Sequence, residues 1–340
     1  MHKVLIASSN ISSNIGNDFF YRGIKYALSI LVKDVDVFDG YFLPYNAYKL
    51  NEREKNNNFD YFSKVSGVDL VVIAGPVLDV GFGKQFEAVL KQAELYDVPV
   101  AVISAGGRKY DEEEIDHCKS ILKKYPPKIF ISRDHDTYKN YNGIAEFSYD
   151  GICFAFFAND YFNGYPTKEM GDYLVSCFDF APEPDLGLYV ELMDGKSKGK
   201  IIEPHTTRSL KQKFRYMLQK DFPDKIGDLN IIRTCHRPHR NKKLIFFRKK
   251  IVSSFISDPY LNLYKNAELT VTDRLHAAVV TLSFGNKACL VLNSNRTRLL
   301  DRAGVEACVN GVYQLPADKL LGEKNEQLKF LKNAIDKSLK

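Results

Sequence analysis

The sequence lacks the features that mark secreted, disulfide-stabilised or membrane-spanning proteins. Its six cysteines show no CxxC spacing, and several lie in apolar surroundings, so we expect reduced core thiols in a cytoplasmic protein. No run of eighteen apolar residues occurs, so no segment should span a membrane. The opening residues, MHKVLIASSN, suit a strand and a polar turn, and we therefore expect no signal peptide.

Three common ligand-binding motifs are also missing. No GxGxxG follows the first apolar run, which argues against a dinucleotide fingerprint. The stretch Gly75–Lys84 fails the P-loop spacing, and Gln85 stands where that motif needs Ser or Thr. Cys235, His236 and His239 are conceivable metal ligands, but a fourth ligand at standard spacing is missing, so we expect no metal.

The composition is that of an ordinary globular protein. The chain has 340 residues, of which 45% are hydrophobic and 26% charged, and this length is enough for two domains. The net charge of +6 suits an anionic substrate or an anionic membrane surface. It is too small to argue for nucleic acid as a partner.

Short apolar runs alternate with helical periodicity through the first half of the chain. The predicted strands are Lys3–Ser8, Asp36–Phe38, Asp69–Ala74, Val98–Ser104 and Lys128–Ser132. Repeated strand–helix units of this kind predict an α/β fold with a doubly wound parallel sheet. Because ligands bind at the carboxyl ends of such strands, the loops after them are the candidate sites.

Glycines and prolines then mark a change of domain. Their density over Tyr161–Pro184 predicts an irregular connection. We therefore predict a first domain over 1–158, a connection over 159–187 and a second domain over 188–340, which begins with a strand at Leu188–Met193. The final helix, Asn325–Leu339, should pack back on the first domain.

A predicted strand runs directly into a predicted helix over residues 270–282, TVTDRLHAAVVTL. The first turn of a helix presents free N–H groups that attract anions. Arg274 adds a planar fork suited to carboxylate or phosphate, and His276 adds a group that titrates near neutral pH. The structural alternative is that Asp273 only caps the helix and that His276 bonds a nearby carbonyl.

Two further stretches carry basic residues. His236 and Arg237 follow the predicted strand Leu229–Thr234, and there they suit an anion-binding wall or, alternatively, a solvated loop. Residues 242–256 alternate basic and apolar side chains. That pattern fits a helix in peripheral contact with a membrane, or a core-facing helix with a basic outer side.

The segment Ala267–Gly304 resembles the most recognisable part of the polysaccharide pyruvyl transferase family. There an Arg-Leu-His triplet, here Arg274 to His276, follows a strand, and a small helix ends in Phe-Gly before the next strand. The basic residues around Arg296 are similar to the family's basic stretch after that strand.

Two motifs in the first domain extend this resemblance. Ser132-Arg133-Asp134 resembles the family's Arg-Asp element, where Arg133 either binds an anion or pairs with a nearby acid. The turn at residues 14–18 resembles the family's Asn-x-Gly-Asp signature, with Asn17 inserted between Gly16 and Asp18. In the alternative interpretation these residues only build the turn, with Asp18 capping the helix after it.

The resemblance implies two Rossmann-like domains that face each other across a cleft, as in GT-B glycosyltransferases. It implies phosphoenolpyruvate as donor and no other cofactor. It implies as acceptor a sugar of a polysaccharide or lipid-linked glycan precursor, which receives pyruvate as a ketal. The donor site is predicted in the second domain and the acceptor side in the first. Donor ligands are predicted to be Arg133, His236, Arg237, Arg274, Leu275 and Arg296. Acceptor ligands are predicted to be Asn14, Gly16, Asn17 and Asp18.

His276 is predicted to be the acid that protonates the donor's methylene carbon. The helix terminus alone would lower the pKa of His276, and a bound phosphate dianion would raise it again. Two rival functions share these features. One is a GT-B glycosyltransferase that uses a nucleotide sugar, and the other is a sugar- or anion-binding protein without turnover.

Overall fold

The computed structural model describes residues 1–8, 14–40, 67–165, 171–181, 183–193, 223–237, 251–291, 294–316 and 318–339. Within these ranges the chain forms two α/β units, each built on its own sheet. No helix among these residues is long and apolar enough to cross a membrane.

The first sheet contains six parallel strands in the order β2-β1-β3-β4-β5-β6. They are β1 (His2–Ser8), β2 (Val35–Gly40), β3 (Leu70–Ala74), β4 (Val100–Ala105), β5 (Ile129–Ser132) and β6 (Phe147–Tyr149). Every residue of β3, β4 and β5 is buried, as expected for strands covered by helices on both faces. The strand order reverses between β1 and β3, where a ligand crevice forms in folds of this kind.

Helices cover both faces of this sheet. They are α1 (Gly16–Leu31), α2 (Phe82–Leu95), α3 (Glu112–Lys124), α4 (His135–Tyr141) and the single turn α5 (Ala158–Tyr161). Asp111 caps α3 by accepting from the Glu114 N–H, and Asp134 caps α4 by accepting from the Thr137 N–H.

The second sheet runs in the order β10-β9-β7-β11-β12-β13, with β8 beside β9. Its strands are β7 (Tyr173–Cys177), β8 (Lys225–Ile226), β9 (Leu229–Thr234), β10 (Ile251–Val252), β11 (Leu269–Thr272), β12 (Lys287–Leu290) and β13 (Tyr313–Gln314). All pairs are parallel except β8 with β9 and β13 with β12. The order reverses between β7 and β11, so this domain has its own crevice there.

The helices of the second unit are α6 (Leu186–Met193), α7 (Asp258–Lys265), α8 (Leu275–Ser283), α9 (Arg298–Arg302) and α10 (Lys319–Ser338). The final helix, α10, contacts residues of the first domain. The Gln327 side chain accepts from the Ile152 N–H at 2.6 Å, and the Phe330 ring stacks on Tyr149 at 4.7 Å.

Two predictions about the middle of the chain are wrong. The supposed irregular connection at 159–187 contains β7, a central strand of the second sheet. The strand consists of only five residues, all buried. The glycines and prolines on either side made the whole stretch look irregular in the sequence. Leu188–Met193 is part of helix α6 and not a strand, since Leu186 and Tyr189 are buried three residues apart as on a helix face.

Residues 242–256 were predicted to be helical in both interpretations, and this is wrong for residues 251–256, which form no helix. Residues 242–250 lie outside the described ranges. Ile251 and Val252 form β10, which pairs in parallel with β9.

The two units share a continuous apolar core. Helix α1 packs against residues 154–157 and against α8, so side chains of the first domain meet those of the second. The amino-terminal turn of α1 therefore lies beside the amino-terminal turn of α8, and this packing positions the site.

Candidate active site

The predicted site residues lie on loops that follow the carboxyl ends of five parallel strands. These are Asn14 and Gly16 after β1, Arg133 after β5, His236 and Arg237 after β9, Arg274 and His276 after β11, and Arg296 after β12. The two sheets contribute to one cluster, because residues of the first domain contact residues of the second. The second domain was predicted to hold the donor site, with Arg133 as a donor ligand from the first domain, and the cluster contains residues of both domains.

The strand–helix junction predicted at 270–282 is confirmed, with Arg274 as the residue before the first turn of α8. Arg274 Nη2 donates to Asn14 Oδ1 at 2.8 Å, and its Nε lies 3.1 Å from Asp179 Oδ2. Leu275 is partly buried and packs against the core. Arg274 thus links the two domains, and Asn14 lies beside the predicted donor residues and not across a gap from them.

His276 lies in the first turn of α8 and is 6% exposed. Its Nε2 is 3.8 Å from Cys153 Sγ, and its ring meets Phe20 edge-on at 5.3 Å between centroids. Burial lowers the pKa of His276 well below its ordinary value, and the charges of Arg133, Arg296 and Arg274 lower it further. His276 is therefore neutral at pH 7 in this arrangement.

His236 is a second buried imidazole beside α1. Its Nε2 is 2.6 Å from the Tyr264 hydroxyl, and its carbonyl accepts from the Ile15 N–H. Burial lowers the pKa of His236 well below its ordinary value, with Arg274 and Arg237 adding to the effect. A Cβ added at Gly16 would lie 3.1 Å from His236 Nδ1 and 3.4 Å from His276 Nδ1, so only a small residue leaves this space open.

Arg133 has the least satisfied side chain of the cluster. It is 0% exposed, and none of its three guanidinium nitrogens has a hydrogen-bond partner of good geometry among the described residues. The closest carboxylate oxygen, Asp134 Oδ2, is 3.8 Å from Nε and already accepts from the Tyr110 hydroxyl at 2.7 Å. The guanidinium packs on Gly106, where an added Cβ would lie 2.3 Å from Nε.

Arg296 completes the cationic cluster. Its side chain is partly exposed, but its Nε is buried and has no hydrogen-bond partner among the described residues. Burial, Arg133 and Arg274 together lower the pKa of Arg296 to about 9. Three arginines from both domains therefore repel one another at this point. Burying cations that lack a hydrogen-bonded counterion is costly, so Arg133 and Arg296 favour an anionic ligand, and Arg274, which lies 3.1 Å from Asp179, can contribute to the same ligand.

The two arginines that follow Arg296 have other partners. Arg298 forms an ion pair with Asp136 and lies over the Tyr110 ring. Arg302 pairs with Asp150 and Glu323. These side chains hold α9 against the first domain.

The predicted cap at Asp18 is wrong. Helix α1 begins at Gly16, and the residue before it, Ile15, makes no side-chain cap bond. Asp18 lies two residues on, about 200° around the helix from Gly16. Its carboxylate bonds Ser257 on the other side of α1, and burial raises the pKa of Asp18. Among the described contacts, Asp18 thus joins α1 to the start of α7, whereas Asn14 and Gly16 face the arginines and imidazoles.

Several residues of the site were not singled out in the sequence. Asp179, Phe180 and Cys153 come from stretches that looked merely apolar or irregular, and Tyr110 reaches Asp134 only through the fold. Asp273 was seen, but as a cap. It instead accepts from the backbone N–H groups of residues 179–181. The one sequence signal that could have indicated this role was the acidic Asp273 directly after a strand, at the place where the strand order reverses.

The described residues contain no group of three His, Cys, Asp or Glu side chains that could hold a metal ion. His239, one of the conceivable ligands in the sequence, lies outside the described ranges.

Comparison with known proteins supports the family and the fold. The family model described as polysaccharide pyruvyl transferase matches residues 14–295. No curated protein sequence matches the chain.

Two solved structures resemble the fold at low sequence identity. One is S. aureus MnaA with UDP, at 12% identity and a TM-score of 0.53, covering 98% of this chain and 91% of that one. The other is UDP-GlcNAc 2-epimerase from Methanocaldococcus jannaschii, at 15% identity and a TM-score of 0.50, covering 97% of this chain and 100% of that one. The chain thus has the predicted α/β fold of two Rossmann-like, GT-B-like domains.

Proposed function

This chain belongs to the polysaccharide pyruvyl transferase family, and we propose from that premise that it moves the enolpyruvyl group of phosphoenolpyruvate onto a sugar as a pyruvate ketal. The acceptor is a sugar of a polysaccharide or lipid-linked glycan precursor, and phosphate is released. One observation carries the proposal. It is the buried Arg133 guanidinium, which lacks hydrogen-bond partners among the described residues and lies in a cluster with Arg274 and Arg296.

The phosphate and the carboxylate of the donor should bind to different arginines of this cluster. Arg133 and Arg296 have no ion pair of normal hydrogen-bonding geometry among the described residues, so the more highly charged phosphate belongs with them. Arg274 is already beside Asp179, and its remaining capacity suits the singly charged carboxylate. Since Arg133 is inaccessible, donor entry requires the two domains to move apart.

His276 supplies the proton in the proposed reaction. Its imidazolium protonates the methylene carbon, which makes C2 an oxocarbenium-like centre. A sugar hydroxyl attacks C2 and returns a proton to His276. The C2–O bond to phosphate then breaks as a second hydroxyl closes the ketal, and that hydroxyl's proton leaves with the phosphate. Two hydroxyl protons thus balance the new methyl hydrogen and the hydrogen phosphate released.

The negative charge of the donor explains how His276 can act as an acid although its pKa is low in the free site. Burial destabilises the protonated form of the imidazole, and the positive charges of Arg133, Arg296 and Arg274 destabilise it further. A donor that carries negative charge into the cluster offsets those arginines and raises the pKa of His276. The acid is therefore formed only with donor bound, which also protects the free site from carrying a fourth positive charge.

Asn14, Gly16 and Asn17 form the proposed acceptor edge. Asn14 contacts Arg274 and donates to Asn17 Oδ1 at 3.0 Å, so this turn lies next to the donor carboxylate. A sugar hydroxyl bound here would be close to C2. Asp18 was included in the same prediction, but its contact with Ser257 favours a role in joining the domains.

Peripheral membrane contact is part of the proposal for a lipid-linked acceptor. Phe255 and Ile256 are 72% and 63% exposed, and they follow the basic stretch at 242–250 in the sequence. Co-sedimentation with anionic vesicles tests this point, and a chain that stays in the supernatant at low salt contradicts it.

The nucleotide-sugar glycosyltransferase is the second candidate. It is supported by the fold that the chain shares with S. aureus MnaA, a structure that contains UDP. An arginine cluster can also hold a diphosphate.

The deciding experiment incubates the chain with phosphoenolpyruvate and a panel of lipid-linked and nitrophenyl sugars. Our proposal predicts phosphate release that depends on acceptor, and a product with the mass of a pyruvate ketal. A hexose added from a nucleotide sugar would support the second candidate. Binding of phosphoenolpyruvate without phosphate release across the panel would indicate a binding protein.

A further inference from the structure

The loop after β7 is fixed by one buried carboxylate. Asp273 accepts from the N–H groups of Asp179 at 2.9 Å, Phe180 at 2.6 Å and Ala181 at 2.7 Å. Asp273 is 1% exposed and follows β11, the neighbour of β7 at the reversal of strand order. We call residues 179–181 the β7 turn. Three charge-assisted hydrogen bonds make it a rigid element at the crevice of the second domain.

The β7 turn contacts Arg274 in two ways. Asp179 Oδ2 lies 3.1 Å from Arg274 Nε, and the Arg274 Cζ lies 4.9 Å from the centroid of the Phe180 ring. Arg237 also has its Cζ 4.9 Å from that ring. The Phe180 side chain is 44% exposed, so a large part of its apolar surface stays in contact with solvent. The ring makes cation–π contacts with two guanidinium groups, those of Arg274 and Arg237.

We propose that the β7 turn is a positioning element that fixes the Arg274 fork for the donor, and this rests on the proposed function of Arg274. The Phe180 ring holds the guanidinium through its face, which leaves in-plane N–H groups for a carboxylate. Asp179 sets the rotation of the group about its long axis. A flexible arginine that is ordered before binding loses less freedom on binding, so the turn increases affinity without touching the donor.

The test compares Phe180→Leu with Phe180→Tyr. Leucine keeps an apolar side chain but removes the ring, whereas tyrosine keeps the ring. Tyr96→Leu is the control, since Tyr96 is an exposed aromatic residue of the first domain outside the site. Calorimetry measures the affinity of each variant for phosphoenolpyruvate and, separately, for inorganic phosphate. Nitrogen-15 NMR of the arginine Nε groups reports whether Arg274 becomes mobile.

We expect Phe180→Leu to weaken phosphoenolpyruvate binding about 2–30-fold, the range that corresponds to one or two cation–π contacts. Phe180→Tyr should restore the affinity, and Tyr96→Leu should match the wild type. The Arg274 Nε signal should broaden or shift only in Phe180→Leu. Equal affinity and an unchanged Arg274 signal in Phe180→Leu would overturn the proposal, as would failure of tyrosine to restore binding.

The two anions separate this proposal from the proposed function. If the wild type binds inorganic phosphate but not phosphoenolpyruvate, the donor assignment fails, and the Arg274 signal still decides the role of the β7 turn. If the wild type binds neither anion, both proposals are overturned.

Discussion

Arg133 and Arg233 are both buried arginines, but their surroundings differ in kind. Arg233 is 4% exposed, and its Nε and Nη2 donate to Glu183 at 2.9–3.2 Å, with a further bond from Nη2 to the Pro223 carbonyl. Arg133 is 0% exposed and has no hydrogen-bond partner of good geometry among the described residues.

This difference distinguishes Arg233, whose charge is paired within the fold, from Arg133, whose charge is placed to bind a ligand. A buried ion pair that is fully hydrogen-bonded is destabilising to break, because the remaining partner stays buried and charged. Only the Asp134 carboxylate, at 3.8 Å and without hydrogen-bonding geometry, compensates the burial of Arg133, so the fold keeps this cation at a cost that a bound anion would offset. Substitutions in the two places should therefore have opposite signatures in stability and in binding.

The largest effect is expected at His276, beside Arg133. His276→Ala should lower kcat by about 10²–10⁴-fold while donor affinity changes little, because an acid acts mainly in the transition state. His276→Asn should be equally inactive. His135→Ala, which removes an exposed histidine paired with Asp150, is the control. Wild-type turnover in His276→Asn would mean that the imidazole only binds the donor.

The structural half of the comparison is tested at Arg233. Arg233→Met leaves Glu183 buried and unpaired, so the free energy of unfolding should fall by about 3–5 kcal/mol. The fraction that remains folded should bind phosphoenolpyruvate as the wild type does. Denaturant titration and calorimetry measure both quantities, and a variant of normal stability would refute the structural role.

Arg274 lies between these extremes, since it is partly paired by Asp179. Arg274→Lys keeps the charge but loses the fork, and we expect donor binding to weaken roughly 10–150-fold, as for loss of one charge-assisted hydrogen bond. The melting temperature should stay close to that of the wild type. Unchanged donor affinity by calorimetry would exclude Arg274 as the carboxylate ligand.

The smallest predicted effect is the uptake of a proton when the donor binds. His276 is neutral in the free protein at pH 7 because its pKa lies well below the ordinary value. Donor binding should raise that pKa and take up as much as one proton, so affinity should increase as the pH falls from 7 towards 6. Calorimetry in two buffers of different ionisation enthalpy measures this uptake. Binding enthalpies that do not depend on the buffer would contradict the mechanism.

The sequence was sufficient to predict the elements that surround the site. Apolar runs identified five of the six strands of the first sheet but not β6. The junction at Arg274 was visible because a β-branched run meets a helical one without a linker. The resemblance to a known family added Arg133 and Arg296, which no local pattern distinguishes from surface arginines.

What could not be predicted depends on contacts between distant segments. The burial of Arg133 requires the fold to bring Gly106 against it, and the role of Asp273 requires β7 beside β11. Asp18 was assigned with its neighbours because the sequence does not show which side of α1 faces the cluster of arginines and imidazoles. Strand β7 was missed since glycines and prolines near a short strand dominate a composition window.

The central claim is that the fold holds the Arg133 guanidinium without a hydrogen-bonded partner among the described residues, with only Asp134 at 3.8 Å, so that an anionic donor can bind it. Chemical denaturation of the wild type and Arg133→Met, each with and without phosphoenolpyruvate, tests it most directly. We predict that Arg133→Met without donor is at least as stable as the wild type, and that the donor raises the denaturation midpoint of the wild type only. A loss of stability as large as that of Arg233→Met, or equal stabilisation of both chains by the donor, would contradict the claim.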